Sequence, residues 1–489
     1  MIFLTPYPAY KDTGIEWLGQ IPAHWEVRRL KRVAQINPSK SEVSNPMRDG
    51  HAVFLPMERV GADGQYDKSE IRPISELWNG FTYFRRGDII IAKITPCFEN
   101  GKGAWLENLP TEIGFGSTEF HVIRPHKEIT APYLYRITTL SEFRRLGTDA
   151  MTGAAGQQRV PAEFVANFSI PLPPLAEQAA IVRYLDFVDG RMRRYARAQQ
   201  QTIRLLTEYK QALIHHAVTG KVNVCTGAPY PTYKDSGIEW LGQVPIHWEV
   251  RRLKQVARVN PCKSEMPLAL RNGQSVFLPM ERVGTDGRYD TSDIRPISEL
   301  WNGYTYFRRG DILVAKITPC FENGKGAWLE NLPTEIGFGS TEFHVLRAQE
   351  QITAPYLYRI TTLSEFRRLG TDTMTGAAGQ QRVPEEFVAN FPIPLPPLAE
   401  QGAIVEYLDA QTARIDAAIA AIRRTVALLG EYRERLVADV VTGKVDVRAV
   451  AAGLPEADAG AADALRTPFA PDDAPTLEEA LQDATDGHE

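Results

Sequence analysis

The stretch "YKDTGIEWLGQIPAHWEVRRLK" at Tyr10–Lys31 decides the fold, because it returns as "YKDSGIEWLGQVPIHWEVRRLK" at Tyr233–Lys254. The offset between the copies, 233 minus 10, is 223 positions, and it holds without insertion to the end of each copy. A fixed internal period means that one structural unit is built twice. The chain therefore consists of one copy at about residues 7–222, a second copy at about residues 230–445, and a tail.

Length and composition are those of a globular protein with several domains. The chain has 489 residues, of which 43% are hydrophobic and 24% charged, and this length predicts two to four domains. The sequence contains no apolar run of about 20 residues and no signal peptide at its start, so we expect no membrane segment and a cytoplasmic location. Its four cysteines include no Cys-x-x-Cys pair, which argues against a disulfide framework or a zinc site.

The net charge of -5 is concentrated at the end of the chain. Residues 446–489 hold eleven Asp or Glu and two Lys or Arg, which leaves the preceding residues with a net charge of +4. This tail is rich in Ala, Asp and Pro and has one aromatic residue, Phe469, so we predict disorder with a short helix near Thr476–Gln482. The rest of the chain is mildly basic, which is compatible with nucleic-acid binding.

Each copy begins with a mixed region and ends with a long helix. Short alternating stretches such as Asp88–Ile94 and Glu119–Ile123 predict strands, and Gly and Pro turns separate them, so this region is an α+β domain. The segments Ile170–Gln178 and Ile393–Gln401 then lead into helices, since proline and glutamate suit a first helical turn. We predict α+β domains at residues 1–172 and 223–395, long helices at residues 173–222 and 396–445, and a disordered tail at residues 446–489.

Apolar residues in both helices recur at steps of four and three positions, as in a coiled coil. The predicted seam consists of Ile181, Leu185, Val188, Met192, Tyr195, Gln199, Thr202, Leu206, Tyr209 and Leu213, and of Ile404, Leu408, Gln411, Ile415, Ala418, Ile422, Thr425, Leu429, Tyr432 and Leu436. A helix of about 40 residues is roughly 60 Å long, whereas the linker at residues 223–229 spans at most about 25 Å. We therefore predict that the second helix returns antiparallel along the first, with the two domains related by a pseudo-two-fold axis. The alternative is that each helix packs separately on its own domain.

The segment "ITPCFENGKGAWLENLPTEIGFGSTEFHV" at Ile94–Val122 is repeated without change at Ile317–Val345, yet it matches no catalytic motif. Its Gly-Lys-Gly turn fails the phosphate-loop pattern, which needs Gly at Pro96 and Ser or Thr at Gly103. The sequence "NPSK" at Asn37–Lys40 lacks the second proline and the aromatic residue of the amino-methyltransferase motif. The sequence contains no Gly-x-Ser-x-Gly element either, so it gives no sign of an enzyme.

Polar and basic residues remain, and they suit contact with DNA. Arg and Gln side chains can bond base edges, while Lys side chains and backbone amides bind phosphates. The candidate contacts of the first copy are Arg85, Arg86, Lys93, Lys102, Thr118, His121, Arg144, Arg145, Gln157, Gln158 and Arg159. Their counterparts in the second copy are Arg308, Arg309, Lys316, Lys325, Thr341, His344, Arg367, Arg368, Gln380, Gln381 and Arg382. A single charge is equally consistent with a solvated surface, and a lone His on a strand is more often structural, so the prediction rests on the whole set.

Three stretches together resemble the specificity subunit of type I restriction–modification systems. They are "YKDTGIEWLGQIPAHWEVRRLK", "RRGDIIIAKITP" and "GAAGQQRVPAEFVANFSIPLPPLAEQAAIVRYLD", and the resemblance covers nearly all of residues 7–445 in both copies. The Pro-Leu-Pro-Pro-Leu-x-Glu-Gln signature that enters a long helix is specific to that group. The resemblance implies two target-recognition domains, two antiparallel helices and no catalytic activity in this chain.

The resemblance also implies the partners of the protein. In that family the subunit binds double-stranded DNA and two methyltransferase subunits, and these recruit restriction–translocase subunits for phage defence. S-adenosylmethionine, ATP and Mg²⁺ would then be bound by the partners, and we expect no cofactor or metal site in this chain. Two other functions stay open, a modification enzyme with unrecognised active residues and a coiled-coil scaffold that does not touch DNA.

The near-identity of the two copies departs from the family's usual pattern of two different recognition domains. Identical domains related by a two-fold axis would read the same half-site on opposite strands, so we predict a bipartite, inverted-repeat target. The helix length limits the half-site centres to at most about 17 base pairs apart, and a spacing of about 10 base pairs is favoured. Recent duplication is the alternative explanation, although the helices have drifted, as Phe187–Gln201 and Ala410–Arg424 illustrate.

Overall fold

The computed structural model describes residues 4–44, 48–154, 156–377 and 379–455. The chain divides into two compact units that do not follow the order of the sequence. Unit 1 comprises Met1–Gln201 and Ala421–Glu489, and unit 2 comprises Thr202–Ala420. Each unit therefore contains one α+β domain, the first part of one long helix and the last part of the other.

The domain of unit 1 is built from two four-stranded sheets and two strand pairs. Its strands are β1 (Tyr10–Asp12), β2 (Gln20–Pro22), β3 (Glu26–Arg29), β4 (Ala34–Ile36), β5 (His51–Leu55), β6 (Ile71–Pro73), β7 (Thr82–Arg85), β8 (Ile89–Ala92), β9 (Gly103–Trp105), β10 (Ile113–Gly116), β11 (Phe120–Pro125) and β12 (Ser169–Leu172). One sheet has the order β6-β5-β10-β7 and the other the order β4-β11-β8-β9, while the pairs are β1-β2 and β12-β3. Within the first sheet, β10 runs parallel to β5 and antiparallel to β7.

The domain of unit 2 repeats this topology strand for strand. Its strands are β13 (Tyr233–Asp235), β14 (Gln243–Pro245), β15 (Glu249–Arg252), β16 (Ala257–Val259), β17 (Gln274–Leu278), β18 (Ile294–Pro296), β19 (Thr305–Arg308), β20 (Ile312–Ala315), β21 (Gly326–Trp328), β22 (Ile336–Gly339), β23 (Phe343–Ala348) and β24 (Pro392–Leu395). Its sheets have the orders β18-β17-β22-β19 and β16-β23-β20-β21, with the pairs β13-β14 and β15-β24. The repeated register follows from the repeated sequence, because the same side chains alternate between the faces of each strand. The predicted α+β class is confirmed.

Short helices pack on the sheets, and two long helices follow them. The helices are α1 (Leu30–Val33), α2 (Ile74–Leu77), α3 (Ala131–Thr138), α4 (Ser141–Asp149), α5 (Ala162–Asn167), α6 (Leu175–Val218), α7 (Ile297–Leu300), α8 (Ala354–Thr361), α9 (Ser364–Asp372), α10 (Glu385–Asn390), α11 (Leu398–Val441) and α12 (Arg448–Ala452). The long helices α6 and α11 have 44 residues each. In the part of the chain that the structure describes, no helix is long and apolar enough to cross a membrane.

The long helices run antiparallel where they meet inside each unit. In unit 1, Ile181 and Leu185 near the start of α6 share a buried cluster with Val440 near the end of α11. In unit 2, the buried cluster joins Val218 at the end of α6 to Ile404 near the start of α11. Burial of each such side chain is worth about 1.5–3 kcal/mol and ties the helices to the core of the domain. The predicted antiparallel pairing is confirmed.

The strict coiled-coil seam predicted for these helices is partly wrong. Tyr195, Tyr209 and Tyr432 are 43%, 58% and 55% exposed, whereas Ala196 and Val426, next to predicted seam positions, are buried. A straight α-helix has 3.6 residues per turn, so a strict 3.5-residue pattern rotates away from the partner by about 20° per heptad. The buried face therefore advances by one residue, and the three tyrosines stay open to solvent in their units.

The Glu-Gln pair at the start of each long helix connects the helix to its domain by hydrogen bonds. In unit 1, Glu177 accepts a hydrogen bond from Trp25 Nε1 at 2.9 Å. Gln178 accepts from Thr130 N at 2.8 Å, and its Nε2 donates to the Pro173 carbonyl at 2.9 Å. These bonds satisfy polar groups that would be costly to bury alone, which explains why both residues follow the proline-rich entry. The same contacts recur in unit 2 at Glu400 and Gln401.

The first ten residues of the predicted disordered tail, residues 446–455, are ordered in unit 1. Asp446 N donates to the Thr5 carbonyl at 2.7 Å, and α12 follows directly. In unit 2 the equivalent bond lies inside the linker between the copies, from Asn223 N to the Ala228 carbonyl at 2.8 Å. The predicted disorder does not hold for this part, and the rest of that prediction, including its short helix, lies outside the described residues.

Candidate nucleic-acid interface

The segment that both copies share without change contributes to the core of each domain. In unit 1, Ile94–Val122 supplies β9, β10 and part of β11, and its side chains Phe98 and Phe115 are buried. β10 has no room for a side chain at Gly114, because a Cβ there would lie 2.1 Å from Phe84. The unchanged sequence therefore preserves a packed scaffold, and the groups that could contact a ligand lie at the turns around it.

His121 and its counterpart His344 are not available to DNA. His121 is 3% exposed on β11, and its Nε2 lies 2.8 Å from the Val160 carbonyl. Its Nδ1 lies 3.2 Å from the side-chain amide of Asn37, so both ring nitrogens have partners. Burial lowers the pKa of each imidazole and keeps the rings neutral. These two predicted contacts are corrected to structural residues.

The Gly-Gln-Gln-Arg sequence lies in an exposed hairpin. Thr152 and Arg159 exchange backbone hydrogen bonds at 3.0 and 2.9 Å, which brings the ends of the loop together. Gln157 is exposed and Gln158 is half-buried. The same hairpin in unit 2 presents Gln380 and Gln381. Amide side chains on a closed loop of this kind can enter a DNA groove and bond base edges.

The arginine of this hairpin is paired with a carboxylate. Arg159 Nε and Nη2 donate to Glu119 at 2.9 and 2.8 Å. Arg382 binds Glu342 in unit 2 with the same two distances, 2.9 and 2.8 Å. The hydrogen bonds hold the pKa of each carboxyl below its usual range. Each arginine would have to leave its carboxylate to reach a base, so the glutamines are the more accessible contacts of the hairpin.

The other candidate residues differ in what they contact. Four of them donate to backbone carbonyls of their own domain at 2.8–3.4 Å, namely Arg86, Lys102, Arg309 and Lys325. Four on α4 and α9 contact other side chains, namely Arg144, Arg145, Arg367 and Arg368. Four polar candidates are exposed at strand ends and turns, namely Arg85, Thr118, Arg308 and Thr341. Arg144 and Arg367 lie beside the turns that precede Lys102 and Lys325, because a Cβ at Gly101 or Gly324 would lie 2.9 or 2.4 Å from the Nη1 atom of the arginine.

Lys93 and Lys316 are the candidate cations that adjoin the hairpins. Val160 N donates to the Lys93 carbonyl at 2.8 Å, and Val383 N donates to the Lys316 carbonyl at 2.8 Å. Both lysines are half-buried. Each lysine adds a positive charge beside its hairpin.

Sequence reasoning missed the residues around these lysines. In unit 2, Lys316 lines a concave pocket together with Asn260, Pro261, Lys263, Thr305, Tyr306 and Phe343. The lining comes from separate parts of the domain, so its spacing forms no motif. The available signal was the Asn-Pro-x-Lys sequence, which occurs in both copies and matched no enzyme pattern.

The surface offers hydrogen-bond donors and positive charge. Within the described ranges, no group of three or more His, Cys, Asp or Glu side chains could hold a metal ion. Amide, guanidinium and ammonium groups bind base edges and phosphate oxygens. Such donors suit contact with nucleic acid.

Comparison with known proteins first gives the class of the protein. The family profile described as "Type I restriction modification DNA specificity domain" matches residues 22–203 and 245–423, one stretch in each copy and more than half of the chain. The profile match thus defines a DNA specificity protein with two recognition domains. The chain belongs to the type I restriction–modification DNA specificity family.

Named relatives agree with this assignment. The type I restriction enzyme EcoAI specificity subunit of Escherichia coli is 42% identical over 164 residues, which are 33% of this chain and 28% of that protein. The chain thus spans less than a third of that relative in the match. The EcoKI specificity subunit of Escherichia coli strain K12 is 22% identical over 440 residues, which are 87% of this chain and 90% of that protein.

Solved structures share the fold. The HsdS subunit from Thermoanaerobacter tengcongensis has a TM-score of 0.52 at 20% identity, over 87% of this chain and 98% of that chain. A chain from a structure on complex assembly and conformational transition of the type I R-M system has a TM-score of 0.66 at 20% identity, over 86% of this chain and 98% of that chain. At this identity the likeness concerns the fold alone.

Proposed function

We propose that this chain is the non-catalytic specificity subunit of a type I restriction–modification complex and that it reads a bipartite DNA target. The observation that carries the proposal is the doubled surface, because the hairpins Gly156–Arg159 and Gly379–Arg382 have the same sequence on the same scaffold. Glutamine can bond adenine in the major groove, and lysine and arginine can bond phosphates. Both half-sites therefore have the same sequence, and the antiparallel helices of each unit favour an inverted order.

Partner subunits are proposed to dock on the open faces of the long helices. Leu205 and Tyr209 are 54% and 58% exposed in unit 2, and Leu428 and Tyr432 are 56% and 55% exposed in unit 1. Large apolar side chains one helical turn apart are typical of protein interfaces. Two equivalent patches fit two methyltransferase subunits, which would bind S-adenosylmethionine and recruit restriction–translocase subunits that use ATP and Mg²⁺.

Mapping of modified bases in the host's DNA tests the target. The expected result is a methylated motif with two identical, inverted half-sites around an unread spacer. The spacer should place the half-site centres at most about 17 base pairs apart. Two unrelated half-sites, or a direct repeat, would contradict the proposed symmetry.

Assays on purified proteins separate this function from its alternatives. A gel shift with the methyltransferase partner, at about 50–200 mM salt, should show sequence-specific binding, whereas a scaffold would show none. The chain alone, incubated with a methyl donor and DNA, should transfer no methyl group, whereas a modification enzyme would do so. Native mass spectrometry should give one specificity chain with two methyltransferase chains, and a stable one-to-one complex under saturating partner would count against the proposed assembly.

A further inference from the structure

A pocket in the domain of unit 2 lies outside the contacts predicted from the sequence. It measures ≈ 230 Å³ and is lined by Asn260, Pro261, Lys263, Thr305, Tyr306, Lys316 and Phe343. Its position beside Lys316 places it next to the exposed hairpin of the same unit. The pocket is too small and too polar for a drug-sized molecule, which would need an apolar site of about 300–1,000 Å³.

The backbone at one edge of the pocket is held in an uncommon conformation. Asn260 has a φ of 49°, which residues other than glycine seldom adopt. Its N–H donates to the Val345 carbonyl at 2.7 Å, and its side-chain oxygen accepts from Val345 N at 3.0 Å. Asparagine adopts this conformation more readily than most residues, and the two bonds to Val345 fix it at the edge of the pocket.

The polar groups of the pocket are arranged to receive an anion. Lys263 Nζ donates to the Trp301 carbonyl and lies 5.4 Å from the centre of the indole ring, so its remaining N–H bonds are free to turn toward a ligand. Lys316 belongs to the same lining, and its ammonium group lies near the Glu342 carboxylate, whose pKa it helps to lower. Two lysines and Thr305 thus line one small space, and no carboxylate is among its lining residues.

The same residue types stand at the equivalent positions of unit 1, which are Asn37, Pro38, Lys40, Thr82, Tyr83, Lys93 and Phe120. Asn37 has a φ of 51°, and Lys40 Nζ donates to the Trp78 carbonyl, as Lys263 does to Trp301. One polar difference separates the two sites. Asn260 Nδ2 donates to Glu385 Oε2 at 2.7 Å, whereas the equivalent position in unit 1 is Ala162.

We infer that each of these sites holds a phosphate group of the DNA backbone, and that Glu385 makes the site of unit 2 the weaker one. The inference rests on the proposed DNA-reading function and adds a positioning contact to it. Two ammonium groups suit the charge of a phosphate, and phosphate contacts orient a protein on the duplex without reading its sequence. The Glu385 carboxylate repels the same anion, and the alanine of unit 1 does not.

Substitution of Lys93 and Lys316 tests the phosphate assignment. The full chain with its methyltransferase partner is titrated, at about 50–200 mM salt, with a duplex carrying the methylated motif and with a scrambled duplex. Lys93→Gln should weaken binding to both duplexes by the same factor and reduce the slope of log K against log salt by about 0.9. Lys316→Gln should act in the same direction with a smaller effect. Lys234→Gln, at an exposed lysine of β13 outside the site, should leave the slope unchanged.

The natural difference between the units tests the role of Glu385. Glu385→Gln should strengthen binding to both duplexes by about two- to fivefold, the range of a surface charge interaction. Ala162→Glu should weaken it by a similar factor. Glu386→Gln is the matched control, because it removes the same charge one residue further on, at a carboxylate that does not bond Asn260. Thermal melting of each variant verifies that the fold is kept.

The outcomes separate this inference from the proposed function. A wild-type complex that binds neither duplex would overturn both. A wild-type complex that binds specifically, with an unchanged salt slope in Lys93→Gln and Lys316→Gln, would overturn the phosphate site and leave the proposed function standing. Weaker binding to the motif duplex alone would assign the lysines to base reading and would also overturn the phosphate site.

Discussion

The two units carry nearly the same domain but different chemistry where that domain meets the long helices. In unit 1, the Asp189 side chain on α6 is 3% exposed and lies 2.6 Å from Arg136 and 2.8 Å from Arg433. Burial alone would raise the pKa of Asp189, but the two guanidinium groups hold it at about 2. In unit 1, a buried, ionised carboxylate therefore joins the domain to the two long helices.

At the same junction, unit 2 has an exposed ion pair that lines a cavity. Thr412 stands at the position equivalent to Asp189, and Asp416, one turn further on, lies 2.7 Å from Lys210. The Asp416 side chain is 55% exposed, and the cavity that it lines measures ≈ 330 Å³. The carboxylate of unit 2 thus lies one helical turn further along the helix than that of unit 1, and it is at the surface and not in the interior.

The helix junction therefore accommodates charged groups at different positions in the two units. A buried ion pair gains little net stability over other well-packed solutions, because desolvation offsets the attraction. Either arrangement can therefore join a helix to the domain. The unchanged core segment, in contrast, has glycines such as Gly114 against aromatic rings, where any added atom would clash.

The largest effect should come from removal of residues 421–455, which should unfold unit 1 and spare unit 2. Val437 and Val440 belong to the core of unit 1, and Tyr133 Oη donates to the Val441 carbonyl at 3.2 Å. Loss of each aliphatic side chain costs about 2–5 kcal/mol, so their joint loss approaches the whole stability of a domain, about 5–15 kcal/mol. Scanning calorimetry should show one transition lost and one kept. Loss of both transitions would contradict the division into two units.

A single substitution at Asp189 tests how much the buried carboxylate stabilises unit 1. Asp189→Thr installs the residue of unit 2 in unit 1 and should destabilise unit 1 by about 3–5 kcal/mol. The substitution leaves Arg433 without this carboxylate and leaves Arg136 with Asp186. Denaturant unfolding measures the change. Thr412→Ala in unit 2 is the matched control, with an expected loss of about 1 kcal/mol, and equal losses in the two variants would refute the distinction.

The same carboxylate should make unit 1 more sensitive to acid than unit 2. The pKa of Asp189 is about 2 in the folded protein, below the value of about 3.9 for an unfolded chain. Its stabilisation is therefore complete above about pH 4 and is lost as the pH falls toward 2, a change of about 2 kcal/mol. Thermal melts across this window should show the difference. Asp189→Asn should remove the extra acid sensitivity, and an unaltered pH profile in that variant would contradict the assignment.

The smallest expected effects concern the matching hairpins. Gln157→Ala and Gln380→Ala should each weaken binding to the motif duplex by about 1 kcal/mol, the lower end of the range for a base contact. The two losses should be equal, because the hairpins have the same sequence and the same closing bonds. Fluorescence anisotropy on each variant provides the comparison. A loss confined to one copy would show that only that hairpin reads a base.

Much of the architecture could be predicted from the sequence, because its signals are local and occur twice. The proline-rich entry and the apolar steps predicted both long helices, and the alternation at Glu119–Ile123 predicted a strand. The buried state of His121 could not be predicted from alternation, since both faces of β11 are covered. The pairing of Asp189 with Arg136 and Arg433 also escaped, because these residues are far apart in the sequence and only the folded chain brings them together.

The hydrogen bond between Asp446 and Thr5 gives the chain a cyclic order. Its counterpart in unit 2, from Asn223 to Ala228, lies inside a continuous linker, so the same junction is covalent in one copy and noncovalent in the other. The backbone from Thr5 through both copies to Asp446 is therefore closed into a ring by this hydrogen bond. A protein opened at the linker and joined from Asp446 to Thr5 is therefore expected to hold the same two units.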